Sequence, residues 1–228
     1  MATSRQQRGE ATRAGILSVA RRLFSDFGYH NTGIADIQAA TGLTKGAFYH
    51  HFRAKQDLAL GVLELVENDY REQFVGPALA EATPGRRVAA LLDAAVTLND
   101  RPEWSNCRLL ATLSAEVTAA DGALADAVRS VQERMLDTLE QLIADAKQSG
   151  EVGDIDPAVG AQMIQSTLMG LMLARKLGIT RVQSGDVVAL LKRSLLGGDA
   201  SEPPVSEAKS GDGLPSEDMR EREESEYF

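Results

Sequence analysis

The chain has one cysteine, three histidines, 5% aromatics and no long apolar run. A single thiol, Cys107, excludes an internal disulfide framework. His30, His50 and His51 do not stand at metal-ligand spacing, since the last two are adjacent. No phosphate-cradling Gly loop or nucleophile-elbow pattern occurs either. An enzyme, a metal site and a cofactor are therefore not expected. No stretch approaches the roughly 18 apolar residues of a membrane helix, and the first residues lack the apolar segment of a secretory signal. A soluble, cytoplasmic protein with no membrane partner is the expectation. What the sequence does have is Ala and Leu within a hydrophobic content of 43%, a composition that favours helices packed on helices.

The formal charge is −9, an unpromising balance for a nucleic-acid binder until it is followed along the chain. Residues 1–58 hold eight Lys or Arg against four Asp or Glu; residues 59–196 hold thirteen against nineteen, and residues 197–228 three against ten. Positive charge is thus concentrated at the N-terminus, where Arg5 and Arg8 read as a flexible basic arm. Screening confines each patch to its own neighbourhood, because the Debye length is about 8 Å at physiological salt.

Within that basic region, Asn31 to Lys55 carries two short helical patterns around a turn, Thr41-Gly42-Leu43-Thr44. The first is apolar at Ile34, Ile37 and Ala40, the second at Ala47, Phe48 and Phe52. This is helix-turn-helix spacing. Gly33 and Asp36 suit the start of the first helix and Thr44 the start of the second, while Gly42 permits the tight bend. Thr44, Lys45, Gly46 and Ala47, followed by Tyr49 and His50, would then project outward. Small or hydrogen-bonding side chains at a helix tip let the backbone approach base edges, and donors further along hold phosphates. Lys45 suits a guanine edge or a phosphate; Tyr49, His50 and Lys55 are phosphate-type donors. The plainer alternative is a surface helical hairpin with a solvated polar face.

The run from Gly42 through Phe52, with Lys55 after it, resembles the DNA-binding signature of the TetR family of transcriptional regulators. So does the preceding helix, where Ile16, Ala20, Leu23, Phe24 and Phe27 are expected on one face and Phe27-Gly28-Tyr29 closes it. The resemblance implies an all-α fold, with an N-terminal three-helix DNA-binding domain and a C-terminal helical domain for ligand binding and dimerisation. It implies DNA contacts at Thr32 and Gly33, at Thr44, Lys45, Gly46, Ala47, Tyr49 and His50, and at Lys55. Gly33 stands where the family often has Ser or Thr, and Ala54-Lys55-Gln56 where it often has Ser-Lys-Glu; both departures weaken helix caps.

The rest of the chain divides into helical patterns. One runs from about Lys55 to Phe74 and is expected to stop near Gly76-Pro77. Others follow from Pro84 to Leu98, from Trp104 to Val117, and from Gly122 to about Ala146 with a sustained apolar stripe. Pro157 suits the first turn of the next helix. That helix is apolar on more than one side, at Val159, Met163, Ile164, Leu168, Met169, Leu171, Met172 and Leu173, and the last helix has a similarly broad stripe. Such helices need cover on both faces, and a second copy of the same pair supplies it as a four-helix homodimer interface. The expected domains are residues 1–54, 55–196, and an acidic tail, 197–228, too poor in apolar residues to fold.

The resemblance further implies an effector cavity in the second domain. Leu63, Val66, Leu98, Trp104, Leu110, Met135 and Met169 are candidate apolar wall, with Tyr70 and Asn106 as polar anchors. Cys107 is a candidate sensor beside them: placed in the first turn of a helix next to Arg108, its thiol would gain thiolate character. The passage from Asn106-Cys107 to Val117 resembles the family branch that includes electrophile-responsive repressors; an inert, space-filling Cys is the alternative. The function so implied is a homodimeric repressor released from a palindromic operator by a small-molecule or electrophilic effector. An architectural DNA binder or helical interaction protein without an effector is the alternative.

Overall fold

The computed structural model describes residues 4–99, 105–179 and 181–197, and every regular element among them is helical. Helix α1 (Ser4–Phe27) is followed by the short pair α2 (Ile34–Thr41) and α3 (Lys45–His51). Arg5 and Arg8 fall within α1, so the expected flexible arm is helical from Ser4 onward. Ile16, Ala20, Leu23 and Phe24 are buried as their spacing requires. Phe27 is 63% exposed, because the chain turns away at Gly28, whose φ of 92° ends the helix.

Helix α4 (Lys55–Tyr70) runs without a stop into a π-helical turn (Arg71–Val75) and a last short turn, α5 (Gly76–Leu79). The expected break at Gly76-Pro77 is absent. A widened turn keeps the Pro77 ring off the carbonyl four residues earlier, where an α-helical turn would clash. Beyond it come α6 (Pro84–Asn99), α7 (Ser105–Glu116), a 3₁₀ turn (Ala119–Asp121), α8 (Ala123–Gln148), α9 (Pro157–Lys176) and α10 (Ser184–Leu196). Pro157 occupies the first turn of α9, and Asp156 caps it by accepting from the Val159 N–H at 3.1 Å.

Two apolar cores result, and α8 belongs to both. Its N-terminal half contributes Leu124, Val128 and Val131 to a core with Phe24, Ile37, Phe48 and Leu58. Its C-terminal half contributes Leu139, Leu142 and Ile143 to a core with Leu92, Ile164 and Val188. The first core joins α1–α3 to α4 and α7, so packing does not divide at residue 54. Burying a Phe or Leu side chain contributes about 1.5–3 kcal/mol, and Leu109 and Leu113 from α7 are fully buried there. The N-terminal helices are thereby fixed to α4, α7 and α8.

Candidate functional site

The α2–α3 pair is built on three buried side chains, Ile37, Phe48 and Phe52. Gly42 bends the chain between the helices at φ 68°, ψ 15°, a conformation that costs a side chain with a Cβ. Thr44 caps α3, its Oγ1 accepting from the Ala47 N–H at 3.3 Å. At the start of α2 the Gly33 N–H donates to Asp36 Oδ2 at 2.7 Å; glycine has no side chain to return the bond, so this is half of a capping box. With Phe48 and Phe52 pointing inward, Thr44, Lys45, Gly46, Tyr49 and His50 form an exposed row, with Ala47 partly covered at its edge. The N-terminus of α3 and its polar face are both open to solvent.

Two nominated residues do other work. Thr32 is buried, its hydroxyl donating to the Gly28 carbonyl at 2.7 Å with the Leu23 carbonyl at 3.3 Å. Lys55 turns inward: Nζ donates to the carbonyls of Tyr29 (2.9 Å) and Thr32 (3.2 Å) and lies 4.3 Å above the Tyr29 ring. Both bonds tie the ammonium to the α1–α2 turn. Burial lowers the Lys55 pKa, with Asp121 and Glu116 acting in the opposite sense.

That turn is also held from the other side. Glu116, the last residue of α7, accepts from the N–H of Tyr29 at 2.7 Å and of His30 at 3.4 Å. Asp121 lies 3.5 Å from His30 Nε2, and its carbonyl accepts from Gln56 Nε2 at 2.9 Å. Bonds from Thr118 hold the Asp121 carboxyl below its usual pKa, despite desolvation, with smaller help from His30 and Lys55. The sequence reading missed Glu116 because nothing local marks it; its partners lie more than eighty residues earlier.

A cavity of about 80 Å³ lies among α4, the π turn, α6, α7, α8 and α9. Val66, Tyr70, Leu110, Met135 and Met169 line it as nominated. Leu63 does not: it lies one turn nearer α1, buried in the first core. Trp104 and the side chains of Leu98, Asn106 and Cys107 lie outside the described residues, although Cys107 does fall in the first turn of α7. Unforeseen lining comes from Phe74, Leu91, Leu168 and Met172, and from two glutamines, Gln132 and Gln165. The π turn sets the Phe74 ring 5.6 Å from that of Tyr70.

The glutamines carried a legible signal. Gln132 follows Val128 and precedes Met135 and Leu139 on the apolar stripe of α8, and Gln165 sits between Ala161 and Leu168 on that of α9. A polar residue on a buried stripe needs a partner. Here Gln165 Nε2 donates to Gln132 Oε1, and Gln132 Nε2 donates to Ser114 Oγ on α7 at 2.8 Å. No charged side chain lines the cavity among the described residues.

Comparison with known proteins accords with this arrangement. The family of bacterial regulatory proteins, tetR family, matches residues 16–62, and the tetracyclin repressor-like C-terminal domain matches residues 84–184. The transcriptional regulator AcrR of Shigella flexneri is 39% identical over 87 residues, which are 35% of this chain and 40% of AcrR. A TetR transcriptional regulator from Chloroflexus aurantiacus superposes with a TM-score of 0.72 at 29% identity, over 82% of this chain and 94% of its own. AibR, in complex with isovaleryl coenzyme A and operator DNA, shares the fold at a TM-score of 0.69 and 23% identity, over 81% of this chain and 98% of AibR. Among the described residues no helix is long and apolar enough to cross a membrane. Two matched domains in their family order, with a helix-turn-helix at the front, place this chain in the TetR family of DNA-binding transcriptional regulators, which are not enzymes.

Proposed function

We propose that the chain is a cytoplasmic, homodimeric repressor that reads a palindromic operator through α3 and leaves it when a small molecule occupies the cavity. The observation that carries this is the exposed row Thr44, Lys45, Gly46, Tyr49 and His50 on a helix whose opposite face is anchored by Phe48 and Phe52. Lys45 reads a base edge or a phosphate, and Tyr49 and His50 hold phosphates. Gly33 and Ala47 contribute close backbone approach. Thr32 and Lys55 act from within, by fixing the turn that aims α2. Residues 1–54 are the reading unit and residues 55–196 the sensing unit, although the two share a core.

Dimerisation rests on α9, α10 and the segment between them. Of the eight large hydrophobics most exposed among the described residues, five lie there: Val159, Leu177, Ile179, Val182 and Leu190. A second copy covers them and sets two α3 helices on one face of the DNA, where half-sites one turn apart are about 34–36 Å from centre to centre.

Both α4 and α7 run from the cavity to the α1–α2 turn. On α4, Val66 lines the cavity and Lys55 grips the turn, about 16 Å apart along the helix. On α7, Leu110 and Ala111 line the cavity and Glu116 grips the same turn. A ligand that favours a displaced α4 or α7 depopulates the DNA-competent state by no more than its differential affinity for the two states. The test is a mobility-shift titration of the full chain against the DNA flanking its own gene, at fixed salt. A specific shift lost in Lys45→Ala is expected; binding that ignores sequence would favour an architectural protein instead.

A further inference from the structure

We infer that the cavity's ligand is a small, uncharged, largely apolar molecule that donates one hydrogen bond to Gln165 Oε1. This deepens the effector reading and rests on it. Gln165 is 9% exposed and lines the cavity. Its Nε2 is committed to Gln132, and the Gln132 amide in turn to Ser114 Oγ and, at 3.6 Å, to Met169 Sδ. The relay therefore presents the other end of the Gln165 amide, and Oε1 is buried with no hydrogen-bond partner. A buried acceptor left so is costly in a folded protein, and a donor brought to it by a ligand removes that cost.

The rest of the wall decides what else the ligand is. Apart from the Gln132 amide and the Tyr70 hydroxyl it is aliphatic, aromatic and thioether, with no ionic partner among the described residues, so an ion entering it would lose its hydration without replacement. Phe74 and Tyr70 offer ring surface. Met135, Met169 and Met172 are unbranched and adaptable, which matters because about 80 Å³ is tighter than the roughly 150 Å³ of an engineered cavity that admits benzene. Entry of an aromatic ligand moves the methionines, and Leu110 and Ala111 of α7 share that wall. The hydrogen-bond relay reaches α7 as well, at Ser114, two residues before the Glu116 that holds Tyr29 and His30. Ligand contact at Gln165 is thus connected to the turn that positions α2.

The experiment is calorimetric titration of the full chain at pH 7 with four probes on one skeleton: propylbenzene, 4-propylphenol, 4-propylbenzoate and 4-propylbenzylammonium. Wild type, Gln165→Leu and Gln165→Met are compared, the Met variant keeping the side-chain volume should the Leu variant not fold. The phenol is expected to bind about tenfold tighter than propylbenzene, and each ion at least about a hundredfold weaker than the phenol. Both substitutions should bring the phenol down to the level of propylbenzene. An ion that binds as well as the phenol, a phenol preference that survives in a folded variant, or no binding by any probe overturns the assignment. Operator release is scored in parallel. Phenol binding without release supports the cavity chemistry and removes the effector reading; release by the benzoate keeps the effector reading and overturns the uncharged-donor assignment.

Discussion

Lys55 and Glu116 hold Tyr29 from its two ends: Nζ of Lys55 donates to its carbonyl at 2.9 Å, and Oε2 of Glu116 accepts from its N–H at 2.7 Å. One residue of the α1–α2 turn is therefore gripped by the first residue of α4 and the last residue of α7. Each helix also lines the cavity, so the turn is bonded to two of the helices that enclose it. Charge-assisted bonds of this kind are roughly twice as strong as neutral ones, and they tie the turn to both α4 and α7.

Lys55→Met is expected to lower stability by about 2 kcal/mol, since two bonds from a charged group are lost while the aliphatic stem is kept. It should also weaken operator binding by loosening α2. The slope of log affinity against log salt separates this from a phosphate contact. An unchanged slope is expected, whereas a slope smaller by about one would place the ammonium on the DNA. Urea melts and anisotropy titrations at several salt concentrations supply both numbers.

Lys45→Ala should behave in the opposite way. Lys45 is exposed, so stability should stay within about 0.5 kcal/mol. Operator affinity should fall, by about 1–3 kcal/mol if Lys45 reads a base edge. A fall that is equal for all sequences and comes with a smaller salt slope would mark a phosphate contact. Unchanged affinity would show that α3 is not the reading helix.

Much of this was legible in local sequence pattern, and the parts that were not are long-range. The α3 row follows from the spacing of Phe48 and Phe52, because a seven-residue helix with one inward ring and a second just past its end has one outward face. The stripe of α8 announced its own burial on both cores. Lys55 looked like a phosphate donor because its charge is local information, whereas its target, the turn at Tyr29, is set by how α4 returns against α1. Glu116 was invisible for the same reason. Gly76-Pro77 misled because the rule that Pro ends a helix assumes an α-helical turn before it, and a π turn relaxes that geometry.

His51 sets a pH dependence. Burial, then His50, then Arg13 lower its pKa, so the folded state holds this proton less well than the unfolded state. Where the unfolded chain binds more protons, stability rises with pH. The contribution of neutral His51 is thus complete above the ordinary histidine value, about 6.5, and is lost as pH falls through the folded-state value. The stability of wild type relative to His51→Gln should decline as pH is lowered from 8 to 5.5. A flat difference would mean that folding leaves the His51 pKa unchanged, and one that grows toward acid would mean that His51 gains an acidic partner in solution.

Leu190→Glu tests the dimer surface. Leu190 is 59% exposed on α10, so a carboxylate there is hydrated in the single chain and should leave the fold intact. In a two-fold dimer the same substitution acts twice, because each residue of an isologous interface occurs on both sides. Losing two buried leucines costs about 1.5–3 kcal/mol each, and desolvating two carboxylates adds to it, so the dimer constant should weaken by a factor of at least about a thousand. Sedimentation at micromolar concentration is expected to show a folded monomer. Operator affinity should fall with it, since one α3 reads one half-site and the second loses its tether. A variant that stays dimeric would move the interface away from α10, and a monomer that bound the operator as tightly as wild type would remove the need for two-fold reading altogether.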